Sequence, residues 1–261
     1  MSRSPRTLRL EQLESRNLMT AVVSPVTGGV VEITGGNGAE SVLIRQLDLN
    51  SFKVKGDVAG GAVRLDGVAR FEIALNGGDD RLTFNGNPIK DPEGGFKRAL
   101  VGGLDVDMGG GSDTVRFRVM DIEGHVDIHG QQGADDSEVV TIRDSYWGGG
   151  ADIQTGDGAD QVLIDRGARL RGVVNIDTGF SDADVDDSVF LANSEFGRLT
   201  LDMHGGNDEL EMVFNNFNAD AFFNGGDGDG DVAGIRGNDF KADVDFESFE
   251  AIVRAKPPKV V

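Results

Sequence analysis

The chain has 261 residues, a formal charge of −20 at pH 7, 39 glycines and no cysteine. Asp and Glu outnumber Lys and Arg by 45 to 25, which excludes a general nucleic-acid binder, because phosphate contact needs clustered cations. The lack of cysteine removes disulfide and thiolate chemistry, and no apolar run reaches the ~18 residues of a spanning helix.

Residues 1–23 differ from all that follows. Arg3, Arg6, Arg9 and Arg16 precede a small-apolar stretch from Leu18 to Val23, which is short for the core of an ordinary secretory signal. Leu10, Glu11, Leu13, Glu14, Arg16, Leu18 and Ala21 nevertheless resemble the LExLExRxLL-A leader of many exported planctomycete proteins. That resemblance implies a signal-peptide-like export leader over 1–23 and a secreted or cell-surface protein.

Beyond it, Val31 and Ile33 lead into a turn from Gly35 to Glu40, then Val42 and Ile44. The same order returns as Phe71 and Ile73, the turn Gly77-Gly78-Asp79-Asp80, then Leu82 and Phe84. These are period-2 strands separated by turns. Extra alternating stretches at 52–55 and 62–65 mark residues 24–70 as a terminal unit covering the open edge of the first coil. Pro88 and Pro92 mark 85–100 as an inserted loop, a usual place for binding on such folds.

From Leu104 the pattern becomes regular, with a period of about 23 residues. One apolar pair opens each copy: Leu104/Val106, Val126/Ile128, Ala151/Ile153, Val174/Ile176, Leu199/Leu201, Ala221/Phe223 and Val244/Phe246. A second pair follows the turn at Val115/Phe117, Val140/Ile142, Val162/Ile164, Val189/Leu191 and Leu210/Met212. A third strip precedes the next opening at Ile122, Trp147, Leu170, Phe196, Phe217 and Phe240.

Three short strands per repeat, closing in constant order, predict an all-β right-handed parallel β-helix of about 8–9 coils spanning 24–253. Strands stacked at ~4.8 Å give a rod on the order of 40 Å long, with Phe196, Phe217 and Phe240 in an aromatic ladder. Residues 254–261 read as a basic tail with Arg254, Lys256 and Lys259.

The turns are the only repeated polar feature. Stacking predicts an acidic column of Asp113, Asp136, Asp160, Asp184 or Asp187, Asp208 and Asp231, joined by Asp80, Asp157 and Asp229 in neighbouring turn positions. Two carboxylates about 5 Å apart repel by roughly 1 kcal/mol in water and several-fold more when partly desolvated. A hard cation relieves this, since Ca²⁺ takes six to eight oxygens from carboxylates and carbonyls. The competing reading is that these Asp are turn formers whose side chains bond nearby backbone N–H groups.

Thr155 to Leu163, TGDGADQVL, resembles the calcium-binding nonapeptide GGxGxDxUx of RTX, or haemolysin-type, repeats, lacking only the first glycine. Gly35 to Leu43 matches it except that Glu40 replaces Asp, and the turns at Gly77, Gly110 and Gly205 are contracted. The resemblance implies Ca²⁺ as the bound ion, with an RTX-like β-roll as the alternative fold. One turn per repeat instead of two implies weak sites, in the extracellular 10⁻⁴ to 10⁻³ M range.

Catalysis has little support. His125, His129 and His204 do not converge in a strand context, and there is no nucleophile elbow or phosphate-cradling loop. Arg116, Arg118 and Arg143 read as a solvated fringe. The expected function is therefore a structural or adhesive role outside the cell, with a polysaccharide or an envelope component as partner and no catalytic residues. The alternative is a lyase-like polysaccharide-processing β-helix enzyme. It rests on fold analogy, and the single Tyr and Trp are poor provision for stacking sugars.

Overall fold

The computed structural model describes residues 20–87, 100–131, 136–179 and 185–254. Among these the chain is all strand and turn, wound into a parallel β-solenoid whose coils lie about 24 residues apart. No helix among the described residues is long and apolar enough to cross a membrane.

Two sheets run the length of the solenoid. The first joins Val30–Thr34, Arg70–Ala74 and Gly103–Gly109 to successive strands ending at Val244–Glu247, all parallel. The second joins Ser41–Asp48 and Arg81–Asn85 to successive strands ending at Ala251–Arg254, again all parallel.

The register is the one the apolar pairs require. Leu104 pairs with Val126, Val126 with Ala151, Ala151 with Val174, Val174 with Leu199 and Leu199 with Ala221. In the second sheet Val115, Val140, Val162, Val189 and Leu210 stand in one row. A slip of one residue would turn each of these side chains to solvent, so burial itself fixes the register.

The third strip forms short two-residue pairings through Ile122, Trp147, Leu170, Phe196, Phe217 and Phe240. Phe196 stacks on Phe217 at 5.2 Å and Phe217 on Phe240 at 4.7 Å, forming the aromatic ladder. Further stacks between Phe84 and Phe117 at 4.9 Å and between Phe223 and Phe246 at 4.9 Å follow from in-register pairing of like residues. Each such pair adds about 0.5–1.5 kcal/mol beyond its buried area.

The two ends differ. At the N-terminal end Ser51–Gly56 and Val63–Asp66 add antiparallel to the second sheet, and Val22–Val23 adds antiparallel to the first. Phe52, Val54 and Leu65 of these added strands are buried, with Phe52 edge-on to Phe71 at 5.1 Å. Ala21 is also buried, and Val22 and Val23 pair with Thr34 and Ile33, so the last residues of the expected leader are built into the first coil. Residues 1–19, 88–99 of the expected loop and 255–261 of the tail lie outside the described residues. At the C-terminal end Val244 and Ile252, which stand in the inward rows of the two sheets, are exposed, because no further coil covers them among the described residues, whereas Val253 pairs with Gly234 in an outward row.

Candidate functional site

Each turn ends on an acidic residue immediately before a strand of the second sheet. Asp160 precedes Gln161–Asp165, Asp208 precedes Glu209–Val213 and Asp231 precedes Val232–Arg236. Strand alternation then decides where the carboxylate goes. Val162 and Ile164 face the core, so Asp160, two residues before Val162, faces it too. The acidic column therefore lies inside the solenoid wall.

Its members are Glu40, Asp80, Asp113, Glu138, Asp160, Asp187, Asp208 and Asp231, each no more than 2 % exposed. Glu250 extends the column on the last coil, its Oε2 accepting the Asp231 N–H at 2.7 Å. Most carboxylates accept a backbone N–H from the equivalent residue one coil earlier. Asp80 Oδ1 accepts from Glu40 at 2.6 Å, Asp113 Oδ1 from Asp80 at 2.7 Å and Asp160 Oδ1 from Glu138 at 2.8 Å. Asp187, Asp208 and Asp231 continue the series, each accepting from its predecessor at 2.8 Å. These bonds answer the N–H groups left over where the chain leaves the turn and has not yet entered the ladder of the sheet.

The second oxygens are not answered in the same way. No hydrogen-bond donor reaches Asp80 Oδ2, Asp113 Oδ2 or either oxygen of Glu138, although all are buried. Burial accordingly pushes Asp80 and Asp113 up to about 7, with neighbouring carboxylates adding to the effect, and pushes Asp187 up to about 9. Glu138 is driven up to about 10 by burial and by Asp160, Asp113 and Asp136. At an effective dielectric near 20, unit charges ~4.8 Å apart repel by about 3–4 kcal/mol. A fully ionised, uncompensated column is therefore excluded, and a proton or a cation must neutralise it.

Of the residues expected in the column, Asp80, Asp113, Asp160, Asp187, Asp208 and Asp231 are brought together. Asp136 is not one of them. The strand Val139–Arg143 begins two residues further on, so Glu138 occupies the inward position, while half-buried Asp136 accepts the Gly111 N–H at 2.9 Å beside it. Asp157 is half-buried on the turn and Asp229 exposed, and Asp184 lies outside the described residues. Glu40, Glu138 and Glu250 were not expected in the column. The signal for them was present, since each stands two residues before an apolar strand position.

Glycine makes this stacking possible at particular points. Gly158 has φ +136°, and a Cβ there would collide with the Asp136 carbonyl of the preceding coil. Gly226, with φ +100°, meets the His204 carbonyl in the same way. Backbone therefore packs on backbone from turn to turn.

His125 and His129 lie on the outer side of the first sheet, and His204 follows the strand Glu195–Asp202 with its Nε2 3.1 Å from Asp177. His125 Nε2 is 3.0 Å from Asp152 Oδ2 and 3.1 Å from Asp127 Oδ1, and Nδ1 is 3.2 Å from the Gly149 carbonyl. Partial burial opposes the charge on this ring, but the Gly149 carbonyl and the two carboxylates outweigh it and raise its pKa. Among the described residues this is the one trio of metal-capable side chains whose ligand atoms all lie within 4.8 Å. His129 meets Gln154 at 3.1 Å instead, so the two histidines spaced by four residues do not converge. The same outer surface carries Glu32, Glu72, Asp105, Asp127 and Asp152 in one register row.

Arg116, Arg118 and Arg143 alternate with buried residues on the second sheet and so point away from the column. Arg143 pairs with Asp165 at 2.9 Å. No family model, curated protein or solved structure matches the chain.

Proposed function

We propose that this protein is an extracellular or cell-surface acidic β-helix with a structural or adhesive role, rigidified by Ca²⁺ taken up weakly along its buried carboxylate column. The carrying observation is the column itself: one buried carboxylate per coil, with the aspartates each tied to the preceding coil through one oxygen and with Asp80 Oδ2 and Asp113 Oδ2 reached by no donor. Hard oxygen donors on successive coils suit Ca²⁺, and weak sites would fill in a compartment where the ion is millimolar. The leader resemblance supports the same compartment. The outer register row of acidic residues supports an adhesive surface that meets a polysaccharide or an envelope component through bridging cations.

Calorimetric melting of chelated protein at pH 8 tests the metal reading. Millimolar Ca²⁺ is expected to raise the melting temperature by several degrees, as mass action requires of an ion that binds only the folded state. An unchanged melting temperature would sink it. Retention of the native protein in its host's cytoplasm would sink the extracellular assignment.

A further inference from the structure

His125 and Asp127 alternate with the inward Val126 and Ile128, so both project from the outer face of the first sheet. Asp152 joins them from the next coil, because it stands in register with Asp127. The imidazole Nε2 lies 3.1 Å from Asp127 Oδ1 and 3.0 Å from Asp152 Oδ2. Three ligand atoms from two coils thus converge, and no other trio among the described residues does so.

The surroundings fix how the ring is used. Nδ1 faces the Gly149 carbonyl at 3.2 Å, and a carbonyl only accepts, so Nδ1 carries a proton and donates it there. Nε2 then meets the two carboxylates either as a second N–H or with its lone pair on a shared cation. A metal-ligating histidine is held in this way, its other nitrogen donating to a carbonyl. Asn175 Nδ2 donates to Asp152 Oδ1 at 2.6 Å, which leaves Oδ2 aimed at the ring. Further along the same outer row, Arg70 meets Glu72 at 3.1 Å and Asp105 at 3.3 Å. At the step from Asp127 to Asp152 the imidazole takes the place of that arginine.

We propose that His125, Asp127 and Asp152 form a divalent transition-metal site of the Zn²⁺ class on the outer face of the first sheet. Bonds of about 2.0–2.2 Å in a tetrahedral Zn²⁺ site put the ligand atoms roughly 3.3 Å apart. The ion therefore replaces the Nε2 proton after small side-chain shifts. One imidazole and two carboxylate oxygens suit Zn²⁺ better than Ca²⁺, which takes oxygen ligands alone and more of them. The side chains of His125 and Asp152 are each 41 % exposed, so the fourth position opens to solvent and can take a water or an oxygen of a partner. This site and the Ca²⁺ reading of the column do not depend on each other.

The test uses the full chain, stripped with a chelator, returned to buffer with millimolar Ca²⁺ and titrated with zinc chloride in a calorimeter at pH 7.5. One Zn²⁺ per chain is expected, with a dissociation constant on the order of micromolar. His125→Ala should weaken it at least about tenfold and Asp152→Asn several-fold, whereas His129→Ala and His204→Ala should leave it unchanged. In a spectrum of the imidazole nitrogens, Zn²⁺ should move Nε2 of His125 and leave Nδ1 protonated, which a plain ion pair does not do. If His125→Ala does not fold, Asp152→Asn and this spectrum decide.

Zn²⁺ binding that is absent, that His125→Ala leaves intact or that only His204→Ala abolishes would overturn the site. The Ca²⁺-dependent rise in melting temperature should be the same in His125→Ala and wild type, so the failure of either reading shows separately.

Discussion

Raising the pH of metal-free protein is the simplest perturbation of the column. Asp80 and Asp113 move from an ordinary 3.8 to about 7 on folding, so between those values the folded state holds protons that the unfolded chain has released. Stability is then fully present below about pH 4 and falls as pH rises towards 7, the reverse of a salt-bridged carboxylate. Each pKa unit is worth about 1.4 kcal/mol, so Asp80 alone loses about 3 kcal/mol between pH 5 and its folded value near 7. Its neighbours add less than their separate sums because they titrate together. For a chain of this size 1 kcal/mol shifts the melting temperature by about 2–4 °C, so Asp80 alone accounts for a fall of roughly 6–12 °C and a fall at least that large from pH 5 to pH 8 is expected in chelator. Differential scanning calorimetry across that range reads it directly. A melting temperature that stays level or climbs would mean that the column is ionised and compensated in some other way, and the reasoning would fail.

Other changes probe separate parts of the structure. Asp160→Asn keeps an acceptor for the Glu138 N–H and removes a charge, so chelated protein at pH 8 should melt no lower than wild type. Asp160→Ala strands that N–H and should cost about 1–3 kcal/mol by chemical denaturation. Gly158→Ala places a Cβ against the Asp136 carbonyl at φ +136° and should cost on the order of 2 kcal/mol or more in the same assay. Phe217→Ala removes the middle of the ladder between Phe196 and Phe240 and should cost about 3–5 kcal/mol. In an NMR titration His125 should titrate above its ordinary 6.5, and Asp152→Asn should bring it down; no response would dismiss that pairing.

The repeat was legible because two-residue alternation and a fixed period act together. Leu104, Val126 and Ala151 could align only if the coils stack in parallel, and they do. The depth of the acidic column was not read. Asp is usually a surface residue of turns, and that habit masked the alternation that turns Asp160 inward with Val162. Asp136 was preferred to Glu138 because the turn was matched by residue type, whereas the structure counts back from Val140. The His125 cluster escaped because Asp127 lies on the same coil but Asp152 on the next, and only the register joins them.

Anomalous diffraction from crystals grown in millimolar calcium chloride tests the central claim most directly. The account predicts peaks inside the solenoid wall beside the inward carboxylates. Peaks confined to the outer acidic surface around Asp127 and Asp152, with the column holding none, would contradict it.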